Sequence, residues 1–321
     1  MADPMRQNNS DNGIPGTALV SIAMCTYNGA NYLKEQIDSI IYQTYNNLEI
    51  IIVDDASSDN SIEIIKEFQQ KDPRIRVYQN EKNIGYNKNF EKAINLCSAQ
   101  YIATCDQDDI WEPGKIEIMM NNWPPGSLFI YSLSGNFYHD DFSLKKSAPD
   151  IYYSDISDIH SLVFNSPVHG HASMFKKELI NCCTPFPDDI FYDWWLSMHA
   201  ASIGSIGCVP QTLTWHRVHE KNSSRDLTSI SDREERNKQL RQQSAYFIET
   251  FCRKPVARED EKKSLLHYAA LLKNMDGKNF SWAMFNYVMK HRELIFHYKK
   301  KPFLFLSQLK HAFRMARKGL L

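Results

Sequence analysis

The chain has seven cysteines, at 25, 97, 105, 182, 183, 208 and 252, and no CxxC pair among them. That leaves out the commonest zinc and dithiol signatures, and the apolar runs holding several of them read as sites for reduced, buried thiols. No run of 18 apolar residues is available to cross a bilayer, and no charged-then-apolar signal segment opens the chain. A cytoplasmic protein is expected. No internal repeat is visible. A formal net charge of −1 and the lack of any nucleic-acid-binding module argue against nucleic acid as a partner.

What is present is an ordinary globular composition: 321 residues, 43% hydrophobic and 23% charged. That length suits one large domain with an appendage. The near-zero charge hides an asymmetry. From Lys290 to Leu321 there are nine Lys/Arg against Glu293 alone, so this segment is +8 and the remainder −9. Phe303, Leu304, Phe305, Leu306, Leu309, Phe313 and Met315 are interleaved with those cations. Such a segment either lies on an anionic membrane surface or packs on the body with a solvated basic face.

Residues 1–17 are polar and expected to be disordered. Four apolar runs of strand length follow, at Ala18–Cys25, Leu48–Val53, Ile75–Tyr78 and Tyr101–Thr104. Between them, apolar residues recur at helical spacing around Leu33–Ile41, Ile62–Phe68 and Lys88–Leu96. This alternation predicts an α/β fold with a mostly parallel central sheet flanked by helices. Further strands are expected at Leu128–Tyr131 and, briefly, at Gly207–Pro210, and a helix over Ser154–Phe164. Another helix opens at Asp188–Leu196, and beyond about Ser224 helices over Asp232–Phe251 and Glu259–Met275 dominate. The expected organisation is a catalytic α/β domain over 18–225 and a helical region over 226–321.

The densest chemistry is Asp106-Gln107-Asp108-Asp109, where the fourth strand leaves the sheet. Crowded carboxylates repel unless a cation sits among them. Oxygen ligands suit Mg²⁺ or Mn²⁺, ions that in turn hold phosphates. Tyr27, Asp55 and these acids all follow strand ends, the rim where parallel sheets bind ligands.

The ordered motifs Thr26-Tyr27-Asn28, Gln43-Thr44-Tyr45, Val53-Asp54-Asp55-Ala56-Ser57-Ser58-Asp59, Asn83-Ile84-Gly85, Asp106-Gln107-Asp108-Asp109-Ile110-Trp111, Tyr192-Asp193-Trp194-Trp195 and Arg217-Val218-His219-Glu220-Lys221-Asn222 together resemble a family 2 glycosyltransferase of the GT-A fold. The last two look most like the branch containing bacterial polysaccharide rhamnosyltransferases. The resemblance spans about 18–225. It implies an inverting, metal-dependent transfer of a sugar from dTDP-rhamnose or a UDP-hexose to a hydroxyl of a bacterial surface polysaccharide or lipid-linked oligosaccharide, at the inner face of the membrane or in the cytoplasm.

The resemblance also implies roles. Tyr27 would stack on the nucleotide base, Asp55 would accept the base's imide N–H, and Asp106 would lie on the ribose side. Asp108 and His219 would hold Mg²⁺ or Mn²⁺, with His216 a rival for His219. Asp193 would be the general base, with Asp188 and Asp189 its rivals. Phe191, Trp194 and Trp195 would raise its pKa and give a sugar ring a platform. Arg217 would neutralise departing phosphate, and Asn222 would polarise a sugar or phosphate oxygen. Asp109 either faces the acceptor or caps the next helix. Lys88 stands where many members carry arginine and loses the bidentate fork, so donor binding there is a point-charge contact at most. His169-Gly170-His171 resembles an acceptor-side loop in which Gly170 admits a close approach. Two other readings stay open: a nucleotidyltransferase, which would want a basic glycine-rich loop that Thr26-Tyr27-Asn28-Gly29 lacks, and a silent carbohydrate-binding protein.

Overall fold

A computed structural model describes residues 17–138, 141–147, 153–219, 233–255, 257–275, 279–296 and 304–319. The expected disorder before residue 17, the motif residue Asn222, the boundary near 225 and the lysines at 299–301 lie outside the described residues.

The first half alternates as its apolar runs predict: β1 (Val20–Thr26), α1 (Leu33–Ile41), β2 (Leu48–Asp54), α2 (Ser61–Lys71), β3 (Ile75–Gln79), α3 (Tyr86–Leu96) and β4 (Tyr101–Cys105). β1 and β2 are buried at every position, since helices cover both faces of a parallel sheet. The chain continues through β5 (Ile110–Trp111), α4 (Lys115–Asn121), β6 (Phe129–Tyr138), β7 (Asp141–Lys146), α5 (Ile159–Asn165), β8 (Ser173–Lys176), α6 (Ile180–Cys183), α7 (Tyr192–Ile203) and β9 (Ile206–Val218). The strands form one nine-stranded sheet in the order β3-β2-β1-β4-β8-β6-β9-β5, with β7 paired to β6. Its β1–β4 part is parallel, whereas β8 runs antiparallel to both β4 and β6. The central sheet is therefore mixed.

Two expectations shift in this half. The short strand expected at Gly207–Pro210 is thirteen residues long, and it carries the chain from the sheet centre back to Arg217 and His219. The helix expected over Ser154–Phe164 begins only at Ile159, where the Asp158 carboxylate accepts the His160 amide as its cap.

The last third is helical: α8 (Arg233–Cys252), α9 (Glu259–Lys273), α10 (Trp282–Lys290), α11 (Arg292–Ile295) and α12 (Leu304–Lys318). Phe247, Ile248 and Phe251 of α8 are buried in the same apolar cluster as Trp195, Leu196 and Met198 of α7. The helical region thus completes the core behind α7. Among the described residues no helix is long and apolar enough to cross a membrane.

Candidate active site

Parallel strands β1, β2 and β4 end side by side, and their C-terminal loops form one wall of a cleft of about 700 Å³. Tyr27 follows β1, Asp55 follows β2, and Asp106, Gln107 and Asp108 follow β4; all five line the cleft. The far side is made by Ser166, His169, Gly170, His171 and the start of α7 at Phe191–Asp193. Residues more than 160 positions apart are brought together by the pairing of β4 with β8.

Gln107, the unassigned position between the acids, clips the two loops together. Its Oε1 accepts the Tyr27 amide at 2.8 Å and the Thr26 hydroxyl at 2.9 Å, and its amide donates back to the Tyr27 carbonyl at 3.2 Å. A Cβ on Gly29 would lie 2.3 Å from that same Oε1, so a side chain there would push the Gln107 amide out of its present place. Tyr27 is left 47% exposed over the cleft. Asp55 is buried, and its carboxylate accepts the Ile84 and Gly85 amides and the Asn80 side chain at 2.7–3.0 Å. Those donors fix the orientation of the Asp55 side chain in the cleft that Tyr27 also lines.

Asp108 Oδ2 sits 2.9 Å from His219 Nε2, and the His219 ring stacks on Tyr32 at 4.7 Å. Burial pushes the Asp108 carboxyl up, the His219 contact opposes it, and the neighbouring charges of Asp109 and Asp106 raise it further. A carboxylate in the cleft lining and the imidazole bonded to it, with more negative charge close by, fit a divalent cation by donor type. A second set, Asp109, His171 and His216, also places one ligand atom from each residue within 4.8 Å of the others. His171 and His216 of this set line the cleft, and Asp109 does not. Asp109 is fully buried, and its Oδ2 is without a hydrogen bond.

Asp109 therefore neither faces an acceptor nor caps a helix. Its Oδ1 accepts from His216 Nδ1 at 2.9 Å and from the Arg217 amide at 3.2 Å, and its Oδ2 lies 3.4 Å from His171 Nδ1. The rings of His169, His171 and His216 are parallel, at 5.5 Å and 5.1 Å spacing, and His171 Nδ1 also lies 3.4 Å from Asp106 Oδ2. Burial alone would raise Asp109, but His171 and His216 hold it at about 2. Burial likewise lowers His216, and its bond to Asp109 overrides that to bring it to about 9. Lys115 is a further buried cation beneath the acids: its Nζ donates to the His171 carbonyl at 2.5 Å and lies 3.4 Å from the Trp111 ring centre. Burial lowers it to about 7 against the pull of Cys105, Asp109 and Asp106.

Asp193, in the first turn of α7, has its carboxylate in two backbone hydrogen bonds, from the Trp194 amide at 2.8 Å and the Gly170 amide at 3.0 Å. Burial raises its pKa, those two amides oppose the rise, and the Asp106 charge adds to it. The rivals Asp188 and Asp189 do not line the cleft. Asp188 instead lies 3.7 Å from Lys88.

Several expected site residues are placed elsewhere. Trp195 is fully buried and donates to the Cys183 carbonyl at 2.7 Å; Trp194 donates to the Leu162 carbonyl at 3.2 Å and stacks on Phe247 at 3.8 Å. Both face the helical layer, so neither offers a sugar platform, and the exposed aromatic rings on that side of the cleft are Phe191 and Tyr86, 6.1 Å apart. Arg217 is only 2% exposed, lying between the Tyr32 and Phe137 rings and bonded to Glu35 and the Asp108 carbonyl. A guanidinium committed this way braces the Asp108 loop and is not aimed at phosphate. Lys88 donates to the Phe186 carbonyl at 2.7 Å and to Glu91 at 3.1 Å, outside the cleft lining. The close approach at Gly170 comes from the protein itself: a Cβ there would lie 2.1 Å from the Tyr192 hydroxyl.

Residues 21–183 match Glycosyl transferase family 2. The chain is 28% identical over 229 residues to an uncharacterized glycosyltransferase of Haemophilus influenzae, covering 64% of this chain and 67% of that one. It is 36% identical over 192 residues to an uncharacterized glycosyltransferase of Methanocaldococcus jannaschii, covering 56% and 63%. To glycosyltransferase GlyG of Streptococcus pneumoniae it is 34% identical over 178 residues, covering 51% and 58%, so the chain spans less than two thirds of the length of these last two relatives. Staphylococcus aureus TarS 1–349, solved with UDP-GlcNAc, superposes with a TM-score of 0.59 at 15% identity, over 94% of this chain and 92% of that one. The mannosyltransferase PcManGT of Pyrobaculum calidifontis, solved with GDP-Man and Mn²⁺, gives 0.56 at 17% identity over 94% and 81%. At such identities these two speak for the fold, which is GT-A. The family match takes in β1 through α6, half of the chain and the ends of β1, β2 and β4 that form one wall of the cleft, and on that ground the protein belongs to glycosyl transferase family 2.

Proposed function

We propose that this protein is an inverting glycosyltransferase that moves a sugar from a nucleoside-diphosphate donor, dTDP-rhamnose or a UDP-hexose, to a saccharide hydroxyl. The acceptor is a growing bacterial surface polysaccharide or a lipid-linked oligosaccharide. One observation carries this reading: a single cleft is lined by the exposed Tyr27 ring, the anchored Asp55 carboxylate, the acids Asp106 and Asp108, and the raised-pKa Asp193 carboxyl.

In this reading Tyr27 covers one face of the base, and Asp55 accepts the imide N–H of uracil or thymine, its charge held in place by the Ile84 and Gly85 amides. Asp106 faces the ribose. Asp108 and His219 would hold Mg²⁺ or Mn²⁺, an ion that neutralises the diphosphate as it leaves. Asp193 takes the proton from the acceptor hydroxyl as that oxygen bonds to the anomeric carbon and the bond from that carbon to the diphosphate oxygen breaks. Its raised pKa keeps it basic enough for that proton near neutral pH. Phe191 gives the acceptor sugar an apolar face to lie on.

Product analysis tests this reading. The protein is incubated with Mn²⁺, a panel of nucleotide sugars and saccharide acceptors. Release of nucleoside diphosphate with glycosylated acceptor is expected. Pyrophosphate release would make it a nucleotidyltransferase, and intact donor across the whole panel would leave a binding protein.

A further inference from the structure

The C-terminal helix presents two faces of unlike chemistry. Gln308, Ala312, Met315 and Ala316 of α12 are buried, and the helix is pinned where the Ser281 amide donates to the Ala316 carbonyl and Arg241 donates to the Lys318 carbonyl, both at 2.9 Å. On the outward side the helical repeat puts Leu309, Phe313 and Leu306 along one flank and Arg317, Lys310 and Arg314 along the next, while Phe305 stands exposed in the first turn, at the edge of the buried stripe. Phe305 is 57% and Leu306 60% exposed. Beside them α10 adds Trp282, 66% exposed, joined to Phe313 through the Phe280 and Phe285 rings. Neither α10 nor α12 contains an acidic residue.

We propose that this α10–α12 face is a docking surface for an anionic membrane, with α12 lying in the plane of the headgroups. The two readings of the basic tail are then both met, since one face of the helix is core and the other is free to dock. Apolar side chains beside a row of cations match acyl chains beneath anionic headgroups, and the indole of Trp282 suits the boundary between them. The charge argues against a second copy as occupant, because a two-fold contact would bring the two Lys310–Arg314–Arg317 rows together. A nucleic-acid strand would answer the cations but leave Phe305 and Leu306 in water. Trp282, Phe305 and Leu306 are distant in sequence from the cleft residues, and the proposal does not depend on sugar transfer.

The test is co-sedimentation of the full chain with phosphatidylglycerol–phosphatidylcholine vesicles and with pure phosphatidylcholine vesicles, at low and high salt. Binding to the anionic vesicles only, weakened by salt, is expected. Lys310→Glu/Arg314→Glu/Arg317→Glu should lower partitioning more than a hundredfold, at about fivefold or more per charge. Phe305→Ser/Leu306→Ser should lower it at least tenfold. All these side chains are exposed, and an unchanged thermal unfolding midpoint shows that the variants fold. The proposal is overturned if the wild type binds neither vesicle or both alike, or if Phe305→Ser/Leu306→Ser partitions as the wild type does. It also falls if sedimentation velocity reveals a dimer that the same double variant dissociates. Loss of sugar transfer with vesicle binding intact would count against the catalytic reading alone.

Discussion

The amide of Gly170 donates to Asp193 Oδ2 at 3.0 Å, while the missing side chain of Gly170 leaves the space that the Tyr192 hydroxyl occupies. One residue thus orients the carboxylate and makes room for its neighbour in sequence. Gly170→Ala would put a Cβ 2.1 Å from that hydroxyl and 3.3 Å from Asp193 Cβ. Tyr192 cannot swing aside, because its ring is buried and stacked on Phe90 at 4.1 Å. The variant should lose about 1–3 kcal/mol of stability and most of its turnover. Thermal unfolding and steady-state rates check this, and a variant that melts and turns over like the wild type would remove Gly170 from the account.

Asp193→Asn keeps the shape but cannot take a proton, and its single carbonyl oxygen can accept only one of the two amides that now bond to separate carboxylate oxygens. Turnover should fall about 10²–10⁴-fold with donor affinity unchanged. In the wild type, burial raises this carboxyl above its ordinary 3.8. The base must be ionised to act, so kcat/KM should climb with pH through a limb displaced above the usual carboxylate range. That limb should vanish in the residual activity of the variant. A pH profile shared by both proteins would shift the base role to another group.

The first four strands were legible because each is a short, mostly apolar run bounded by turn and capping residues; β1, β2 and β4 are buried nearly throughout, as central parallel strands are, while β3 at the sheet edge is only partly buried. β9 was not, because Pro210 interrupts it. Register with β6 jumps from Val209 to Thr212 at that point, a bulge that lets proline sit in a long strand without breaking the ladder. The individual acids were legible as a cluster, but their division was not. Asp108 and Asp109 are adjacent and face opposite ways, one to the cleft and one into a histidine stack assembled from two separate segments. The tryptophans misled for a related reason: only the packing of α8 against α7 shows that their apolar surface is consumed by Phe247 and Phe251.

Arg217 separates these two kinds of information. As a phosphate ligand, its loss would weaken donor binding; as a brace between Tyr32 and Phe137, its loss should cost stability first. Arg217→Met keeps most of the apolar stem and drops the bonds to Glu35 and the Asp108 carbonyl. A loss of about 1–3 kcal/mol in denaturant unfolding is expected. A variant with wild-type stability and a greatly raised donor Kd would restore the phosphate role.

Asp108→Asn and His219→Ala should each weaken Mn²⁺ binding by at least tenfold, because each removes one of two converging donors. Calorimetric titration of Mn²⁺ reads this directly without an activity assay. Chelation with EDTA should abolish transfer and Mn²⁺ should restore it. Affinity lost in His171→Ala but kept in His219→Ala would place the ion in the buried Asp109 set.

His216 gives a pH prediction for stability. Its folded pKa of about 9 lies above the ordinary 6.5, so between these values the folded protein holds a proton that the unfolded chain has released. Stability from this source is complete below pH 6.5 and disappears as pH rises through 9. The Asp109 partner does not blur that window, since its lowered pKa matters only on acidification from 3.8 toward 2. Lys115 does overlap it, with the opposite sign: lowered from 10.5 to about 7, it makes the unfolded state the more protonated one there. The comparison must therefore be between the wild type and His216→Asn, which keeps an N–H donor but cannot titrate. In chelated protein, the wild type's advantage should shrink by about 1–3 kcal/mol between pH 6.5 and 9, a range that allows for the quarter-exposed imidazole. Denaturant unfolding across that range measures it, and a difference that stays constant would show that His216 is not holding its proton against Asp109.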